Sequence, residues 1–145
     1  MRIDFTGKTS LIVGGSSGIG EGIKTKFSEL GSEVFSISRT EGIDIRNTQQ
    51  VDSFLQNLSK VDFLINVAAI NSTNKIDDIS VEEWNDVIST NLSSIFYITK
   101  KSLKLMKSGS RIVNFSSIAG RNRSLVSGLH YTSSKAGIIG FTRQL

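Results

Sequence analysis

Short apolar runs alternate with longer amphipathic segments along this chain, and the alternation predicts strands and helices in turn. The runs expected to form strands cover residues 9–14, 33–38, 43–45, 61–69 and 111–116. Residues 61–69 are almost wholly apolar, which is typical of a parallel strand covered on both faces. Because strands that alternate with helices form parallel sheets with right-handed crossovers, the pattern predicts an α/β fold with a doubly wound sheet.

Helical periodicity marks the segments between these runs. Helices are expected over residues 18–30, 48–58 and 80–109, and from about His130 to the last residue. Gly31 would end the first helix, and Ser80 with Glu83 forms an S-x-x-E capping box at the start of the third. The last helical pattern has no cap or breaker, so we expect one domain that is incomplete at its C-terminus.

The composition of the chain excludes several classes of function. The 145 residues are 38% hydrophobic and 21% charged, which fits one ordinary globular domain. The net charge of +4 is spread among carboxylates, and its densest cluster lies at a predicted helix end, so no nucleic-acid partner is expected. The absence of cysteine and the single histidine exclude the usual metal centres. The absence of cysteine also favours a reducing cytoplasm, where we expect the protein to act. No apolar stretch approaches the roughly eighteen residues of a membrane span, so no membrane partner is expected.

The sequence LIVGGSSGIG at residues 11–20 joins the end of a predicted strand to the start of a helix. Its glycines Gly14, Gly18 and Gly20 permit positive φ and the close approach of a bulky anion. The first turn of the helix offers unpaired N–H groups at the positive end of the helix dipole, which favours a phosphate. The spacing is G-x-x-x-G-x-G, so the loop alone leaves open a glycine-rich turn that binds no phosphate.

Tyr131 and Lys135 are four residues apart, which places them on one face of a helix. A nearby ammonium favours the phenolate form of a tyrosine, so this pair suits proton transfer. The same spacing is also common on exposed helices with no chemical role. Ser116 and Ser117 end the fifth predicted strand, where a hydroxyl can hydrogen-bond a carbonyl oxygen in the same crevice or simply stabilise a turn.

In combination these motifs resemble those of the short-chain dehydrogenase/reductase family, particularly its 3-oxoacyl reductase-like members. The family's T-G-x-x-x-G-I-G motif corresponds to VGGSSGIG at residues 13–20, and its N-N-A-G strand end corresponds to NVAA at residues 66–69. The family's active-site asparagine, serine, tyrosine and lysine correspond to Asn91 in TNLSS, Ser117 in IVNFSSIAG, and Tyr131 and Lys135 in YTSSKAG.

The resemblance implies a Rossmann-type sheet of strand order 3-2-1-4-5, truncated before the last two strands, in which residues 1–145 form a single dinucleotide-binding domain. It implies that Tyr131 is the acid/base and that Lys135 favours its phenolate and holds the nicotinamide ribose. Ser117 would position the substrate oxygen, and Asn91 would support a proton relay. The residues implied in cofactor binding are Gly14, Ser16, Ser17, Gly18, Ile19, Gly20, Ser38, Arg39, Asp44, Ile45, Asn66, Val67, Ala68, Tyr131 and Lys135.

The end of the second predicted strand bears on cofactor choice. NAD-binding folds of this type place a carboxylate there for the ribose 2′-hydroxyl, whereas this chain has Ser38 followed by Arg39. Because arginine pairs with a 2′-phosphate that a carboxylate would repel, NADP(H) is favoured over NAD(H). Asp44 and Ile45 match the family's adenine-side position. The few residues before Ile43 leave no room for a helix, so we expect an abbreviated crossover.

Three motif positions depart from the family pattern. Val13 replaces the usual threonine of the glycine motif, and Val67 and Ala69 replace the second asparagine and the glycine of the strand-end motif. Since the two segments are expected to be neighbours in the sheet, our hypothesis is that an apolar contact replaces a polar one. Ser117 is also one residue farther from Tyr131 than in the family, which predicts an enlarged loop at the substrate entrance.

The leading hypothesis is an NADP(H)-dependent oxidoreductase without a metal, acting on a small-molecule carbonyl or alcohol. The resemblance implies a homodimer or homotetramer in the full-length form. Two alternatives remain open, a non-catalytic dinucleotide-binding or sensing protein and an inactive fragment of a reductase. We expect residues 1–145 alone not to be a competent reductase, because family members continue for roughly another hundred residues with two further strands and a substrate loop.

Overall fold

The computed structural model describes residues 3–145, which contain a four-stranded sheet. Its strands are β1 (Thr9–Val13), β2 (Glu33–Ile37), β3 (Phe63–Asn66) and β4 (Arg111–Asn114). They are parallel throughout and lie in the order β2-β1-β3-β4. β1 is buried along its whole length, as a continuous apolar run predicts for a central parallel strand. The structure confirms the predicted doubly wound parallel fold.

The connecting helices are α1 (Gly18–Glu29), α2 (Thr48–Leu55), α3 (Val81–Ile88), α4 (Ser94–Ser102) and α5 (Leu129–Gln144). α1 packs against β1 and β2, and α5 packs against α3. The main core consists of Leu11, Val13, Ile37, Ile45, Val51, Leu55, Leu58, Val61, Leu64 and Ile98. Full burial of a side chain of this size contributes about 1.5–3 kcal/mol. No helix within residues 3–145 is long and apolar enough to span a membrane.

The prediction of a short strand at residues 43–45 is wrong. In the expected order 3-2-1-4-5, the strand numbered 3 is therefore absent, and the other four strands lie in the expected order. After β2 the chain makes a 3-10 turn that ends at Gly42, whose φ of 82° lies in the left-handed region. The Ile43 N–H donates back to the Ser38 carbonyl at 3.0 Å, and the Asp44 N–H donates to a side chain of α2 at 2.8 Å. Because these local bonds use the N–H groups that a strand would offer to its neighbour, β2 is the sheet edge. The abbreviated crossover is confirmed.

The helix predicted over residues 80–109 is interrupted. α3 ends at Ile88, a π-helical turn covers Ser89–Ser93, and α4 follows. A π turn widens the helix locally and is frequent at functional sites. The widened turn carries Asn91, one of the four residues that the motifs single out. The other predicted helices and strands are present with ends shifted by a few residues.

Candidate active site

The loop between β1 and α1 requires glycine at several positions. Gly14 has a φ of 94° and Gly18 a φ of 53°. A Cβ on Gly14 would lie 2.7 Å from the backbone of Ala68, and a Cβ on Gly20 would lie 2.0 Å from the carbonyl oxygen of Gly14. These distances leave no space for a side chain, so the glycines allow the loop to fold tightly against the segment that follows β3.

The start of α1 has no side-chain cap and is open to solvent. Its N-cap residue, Ser17, makes no side-chain hydrogen bond to the helix. Ser16, Ser17, Gly18 and Ile19 are all exposed to solvent. The N–H groups of the first turn therefore face an open cleft at the positive end of the helix dipole, as a phosphate site requires.

A cleft of about 460 Å³ opens along the carboxyl ends of the strands, beside the glycine loop. It is lined by most of the residues implied in cofactor binding, namely Gly14, Ser16, Ser17, Gly18, Ile19, Gly20, Ser38, Arg39, Asp44, Ile45, Val67 and Ala68. The lining also includes residues that the motifs do not indicate, namely Ile37, Thr40, Arg46, Ile70 and Thr90. Asn66, Tyr131 and Lys135 lie outside this lining.

Arg39 lies at the mouth of the cleft and is exposed. It makes no ion pair with any carboxylate within residues 3–145, so its guanidinium is available to a ligand. A carboxylate, Glu41, follows two residues later, but it does not line the cleft. It accepts hydrogen bonds from Ser36, from Ser38 at 2.7 Å and from Lys24 at 3.1 Å. Burial acts to raise the pKa of Glu41, but these hydrogen bonds outweigh it and lower the pKa.

Asp44 is held by Arg46. The Arg46 guanidinium donates to both carboxylate oxygens of Asp44, with one bond of 2.6 Å, and also to Asp86 of α3 at 2.9 Å. The hydrogen bond from Arg46 is the main cause that lowers the pKa of Asp44. This ion-pair network joins the Asp44 side of the cleft to α3. Sequence spacing alone did not indicate it, because Asp86 lies 40 residues from Arg46.

Tyr131 and Lys135 lie on α5 as their spacing predicts. The Lys135 Nζ atom is 5.6 Å from the centre of the Tyr131 ring and donates to the Phe115 carbonyl, just beyond β4, at 2.8 Å. Lys135 is only 2% exposed, and this burial lowers its pKa to about 8. A lysine with a pKa near neutrality, beside a half-buried phenol, suits a site of proton transfer.

Ser117 lies beyond β4 and caps a short 3-10 turn, where its hydroxyl accepts from the Ala119 N–H at 3.1 Å. The same loop is packed onto α5: Ser116 donates to the Lys135 carbonyl at 2.7 Å, and a Cβ on Gly120 would lie 2.6 Å from the Lys135 backbone. The structure thus brings the end of β4 against the turn of α5 that carries Lys135.

Asn91 is wholly buried in the π turn, and its amide is fully engaged. Its Oδ1 accepts from the Ile70 N–H and its Nδ2 donates to the Ile70 carbonyl, both at 2.8 Å. The Nδ2 also donates to the Ser134 hydroxyl at 3.1 Å. Asn91 therefore joins the segment after β3 to α5, which is a structural function that the motif alone did not reveal.

Comparison with known proteins addresses the chain as a whole. Residues 41–145 match the family model for short chain dehydrogenases. The chain belongs to the short-chain dehydrogenase family. It is 30% identical to the 3-oxoacyl-[acyl-carrier-protein] reductase of Vibrio cholerae, covering 99% of this chain and 68% of that protein. It is 33% identical to the reductase of the same description in Chlamydia pneumoniae, covering 100% of this chain and 68% of that protein.

A solved structure agrees with this assignment. The ligand-free aldohexose dehydrogenase of Thermoplasma acidophilum superposes with a TM-score of 0.90 at 28% sequence identity. The match covers 99% of this chain and 62% of that one. The chain thus has the fold of a short-chain dehydrogenase, a family of oxidoreductases, and spans about two thirds of the length of these relatives.

The family motifs that this chain alters lie at the junction of β1 and the segment after β3. The Val13 carbonyl accepts from the Val67 N–H at 3.0 Å and from the Ala68 N–H at 2.8 Å. Val13 is buried, and a methyl carbon of Val67 lies 2.9 Å from the position of a Cβ on Gly20. Backbone hydrogen bonds therefore join the two altered segments, and the replacement of a polar side-chain contact by an apolar one stays a prediction.

Asn66, one of the three predicted cofactor residues outside the cleft lining, is buried within the protein. It is 1% exposed and points into the protein, where its Nδ2 donates to Asn114 at 2.8 Å and approaches Thr99 at 3.4 Å. Its Oδ1 is buried and has no hydrogen-bond partner among the described residues. These contacts join β3 to β4 and α4. Asn66 therefore stabilises the packing of the sheet and does not line the cleft.

The buried state of Lys135 predicts a pH-dependent contribution to stability. Its folded-state pKa of about 8 lies below the ordinary value of 10.5, so the unfolded chain binds more protons between these values. The penalty for burying the charge is fully present below about pH 8 and is relieved as pH rises towards 10.5, by up to about 3 kcal/mol. Urea unfolding of the wild-type protein and of Lys135→Met, at about pH 8 and at about pH 10.5, measures this change in the free energy of unfolding. The wild-type protein should gain stability relative to the variant as pH rises, and a constant difference would contradict the prediction.

Proposed function

We propose that this chain binds a nicotinamide dinucleotide, with NADP(H) preferred over NAD(H), and serves an oxidoreductase that interconverts a small-molecule carbonyl and alcohol. The observation that carries the proposal is the placement of Tyr131 against Lys135, with the Nζ atom 5.6 Å from the ring, beside the strand edge that holds the glycine loop. Such a reaction needs a loop that binds the cofactor's phosphates and a pair of residues that transfers a proton, both on one side of a parallel sheet. Here the loop is the glycine loop of residues 14–20, called the cradle below, and the pair is Tyr131 and Lys135.

The cofactor would lie in the cleft along the strand ends. The backbone N–H groups of Gly18, Ile19 and Gly20 are suited to hold its phosphates, because Ser17 does not cap them with its side chain. The absence of a Cβ on Gly14 keeps the floor of the cradle open. When bound, the nicotinamide would supply or accept the hydride.

The protein's own residues would handle the proton. The Tyr131 hydroxyl would donate a proton to the carbonyl oxygen of the substrate during reduction and would take it back during oxidation. The Lys135 ammonium would stabilise the phenolate that forms, and its bond to the Phe115 carbonyl fixes its position. Ser117 would hydrogen-bond the substrate oxygen, because its hydroxyl accepts from Ala119 and keeps its proton for donation.

The preference for NADP(H) rests on Arg39. Its guanidinium lies at the mouth of the cleft without an ion-pair partner among the described residues, next to the hydroxyls of Ser38 and Thr40. The nearby carboxylate of Glu41 does not line the cleft; it pairs with Lys24 and accepts from the Ser38 hydroxyl. The exposed cation of Arg39 is therefore the group suited to a 2′-phosphate.

Arg39→Ala should weaken NADPH binding by roughly 1.5–3 kcal/mol, the usual range for a hydrogen bond to a charged group, and should barely affect NADH binding. Ser38→Asp should reverse the preference. Fluorescence titration of both cofactors measures these effects, and Arg111→Ala is the control because it removes the same charge at the start of β4. Equal losses of NADPH and NADH affinity in Arg39→Ala would remove Arg39 from this role.

A second candidate function is dinucleotide binding without turnover. The altered motif positions Val13, Val67 and Ala69 favour it. The cradle at Gly14, Gly18 and Gly20 would be retained in such a protein. Cofactor binding without reduction of any ketone in a broad panel would support this alternative.

A further inference from the structure

The protein's only histidine lies directly before Tyr131 and is wholly buried. The His130 Nδ1 atom accepts the backbone N–H of Tyr131 at 3.0 Å, and the Nε2 atom lies 3.1 Å from the Oε1 atom of Glu83. An atom that accepts from an N–H carries no proton, so the two partners assign the neutral tautomer with the proton on Nε2. The imidazole thus links the first turn of α5 to α3.

Glu83 is itself held in place from several sides. Its carboxylate accepts from the Asn74 side chain at 2.9 and 3.1 Å, and its backbone N–H donates to the Ser80 hydroxyl at 3.0 Å. Hydrogen bonds from Ser72, Asn74 and His130 lower the pKa of Glu83 to about 2. Only the Ser80 half of the predicted capping box forms, because the Glu83 side chain turns to His130 and Asn74 and away from the helix start.

The residue at the N-cap of α5 explains why a histidine is needed there. Gly128 has no side chain that can cap the helix, and its N–H donates to the Ser72 carbonyl at 2.6 Å. A Cβ on Gly128 would lie 2.4 Å from the His130 ring and 2.6 Å from the Ser72 carbonyl oxygen. The imidazole folds back over Gly128 and accepts an N–H that the helix start would otherwise leave unpaired.

The backbone of Tyr131 is consequently held at both ends. Its N–H is bound by His130, and its carbonyl accepts from the Ser134 hydroxyl at 2.7 Å. Ser134 in turn accepts from Asn91 of the π turn at 3.1 Å. Two separate contacts, one to α3 and one to the π turn, therefore fix the position from which the Tyr131 side chain extends towards Lys135.

We propose that His130, oriented by Glu83, is a positioning residue for Tyr131. It fixes the first turn of α5 against α3, so that the phenol is held beside Lys135 and towards the substrate. The proposal rests on the function proposed above, in which Tyr131 handles the proton. It assigns a role to the Glu83–His130 pair, which touches neither the substrate nor the cofactor.

The single histidine makes a direct spectroscopic test possible. In protein labelled with ¹⁵N-histidine, the ring nitrogens of His130 should show the neutral tautomer with the proton on Nε2 at about neutral pH. In His130→Ala, hydrogen exchange of the Tyr131 amide should be faster by roughly tenfold or more, the equivalent of about one lost hydrogen bond, while the Ile138 amide in the middle of α5 is unchanged. A proton on Nδ1 in the wild-type protein, or unchanged exchange at Tyr131, would overturn the proposal.

Variants of Glu83 separate positioning from folding. Glu83→Gln keeps an oxygen that accepts from Nε2, so the tautomer and the protection of the Tyr131 amide should stay within a few-fold of wild type. Glu83→Ala removes that oxygen and should lose both the Nε2-protonated tautomer and the protection of the Tyr131 amide. This variant tests the proposal even if His130→Ala does not fold. Equal protection of the Tyr131 amide in Glu83→Gln and Glu83→Ala would overturn the role of Glu83.

Turnover provides the functional readout. In the full-length protein, His130→Ala should lower kcat for carbonyl reduction while NADPH affinity stays within a few-fold, because neither His130 nor Tyr131 lines the cleft beside the glycine loop. Loss of cofactor affinity in parallel with kcat would overturn the positioning role. A Tyr131→Phe variant that keeps its turnover would instead overturn the proposed function, and the tautomer and exchange measurements do not depend on that result.

Discussion

In the full-length protein, Tyr131→Phe is expected to lower kcat for carbonyl reduction by about 10²–10⁴-fold, the range for loss of a positioned general acid. The substitution removes one hydroxyl and keeps the ring, which lies beside Lys135 on a helix whose backbone is held independently of the phenol. NADPH affinity should therefore stay within a few-fold. Lys135→Ala should damage both turnover and cofactor binding, because it removes the buried ammonium that the proposal places against phenolate and ribose.

The measurement is NADPH oxidation with a panel of ketones, together with fluorescence titration of NADPH for each variant. Tyr97→Phe is a matched control, since it removes the other phenol of the chain, which bonds to Asp52 at 2.7 Å far from the cleft. A Tyr131→Phe variant that retains most of its kcat would refute the proposed chemistry and would indicate another proton donor.

The parts of the fold that could be predicted are those encoded by local patterns. The apolar run before the glycine loop predicted the buried strand β1, and the loop predicted the tight turn into α1. Residues 43–45 were predicted wrongly because a short apolar run does not reveal whether its N–H groups find a partner strand. In the structure Ile43 bonds back to Ser38, and no α-helix lies between β2 and Ile43.

The candidate site shows the same division. Spacing four residues apart correctly placed Tyr131 and Lys135 on one helix face, because that contact is local. Burial lowers the pKa of Lys135, and the Lys135 Nζ atom donates to the Phe115 carbonyl 20 residues away. The His130–Glu83 pair joins residues 47 apart. Such pairings follow from the packing of α5 on α3 and on the loop after β4. The sequence offered only a weak signal for the His130–Glu83 pair. The single histidine directly precedes Tyr131, and Glu83 is a capping-box residue whose spacing gives no sign of its contact with His130.

Gly20→Ala is expected to be among the most damaging single substitutions in this chain. The added Cβ would lie 2.0 Å from the Gly14 carbonyl oxygen and 2.9 Å from a methyl carbon of Val67. Both neighbours belong to the junction between β1 and the segment after β3, and the oxygen is part of the backbone, so relief requires the loop to move. The expected loss is about 3 kcal/mol in the free energy of unfolding, at the upper end of the usual cost of overpacking, together with loss of NADPH binding.

Gly22→Ala is the matched control, two residues farther along the same helix. A Cβ at Gly22 would meet nothing within 4 Å, and its φ is not positive. Alanine is favoured over glycine in a helix interior by about 1 kcal/mol, so this variant should be as stable as wild type or more stable. Urea unfolding with equal m-values compares the two substitutions. If Gly20→Ala lowers the unfolding midpoint no more than Gly22→Ala, close packing of the loop is not the reason for glycine at position 20. If Gly20→Ala is destabilised but binds NADPH as wild type does, the loop has a structural role without being the cofactor cradle.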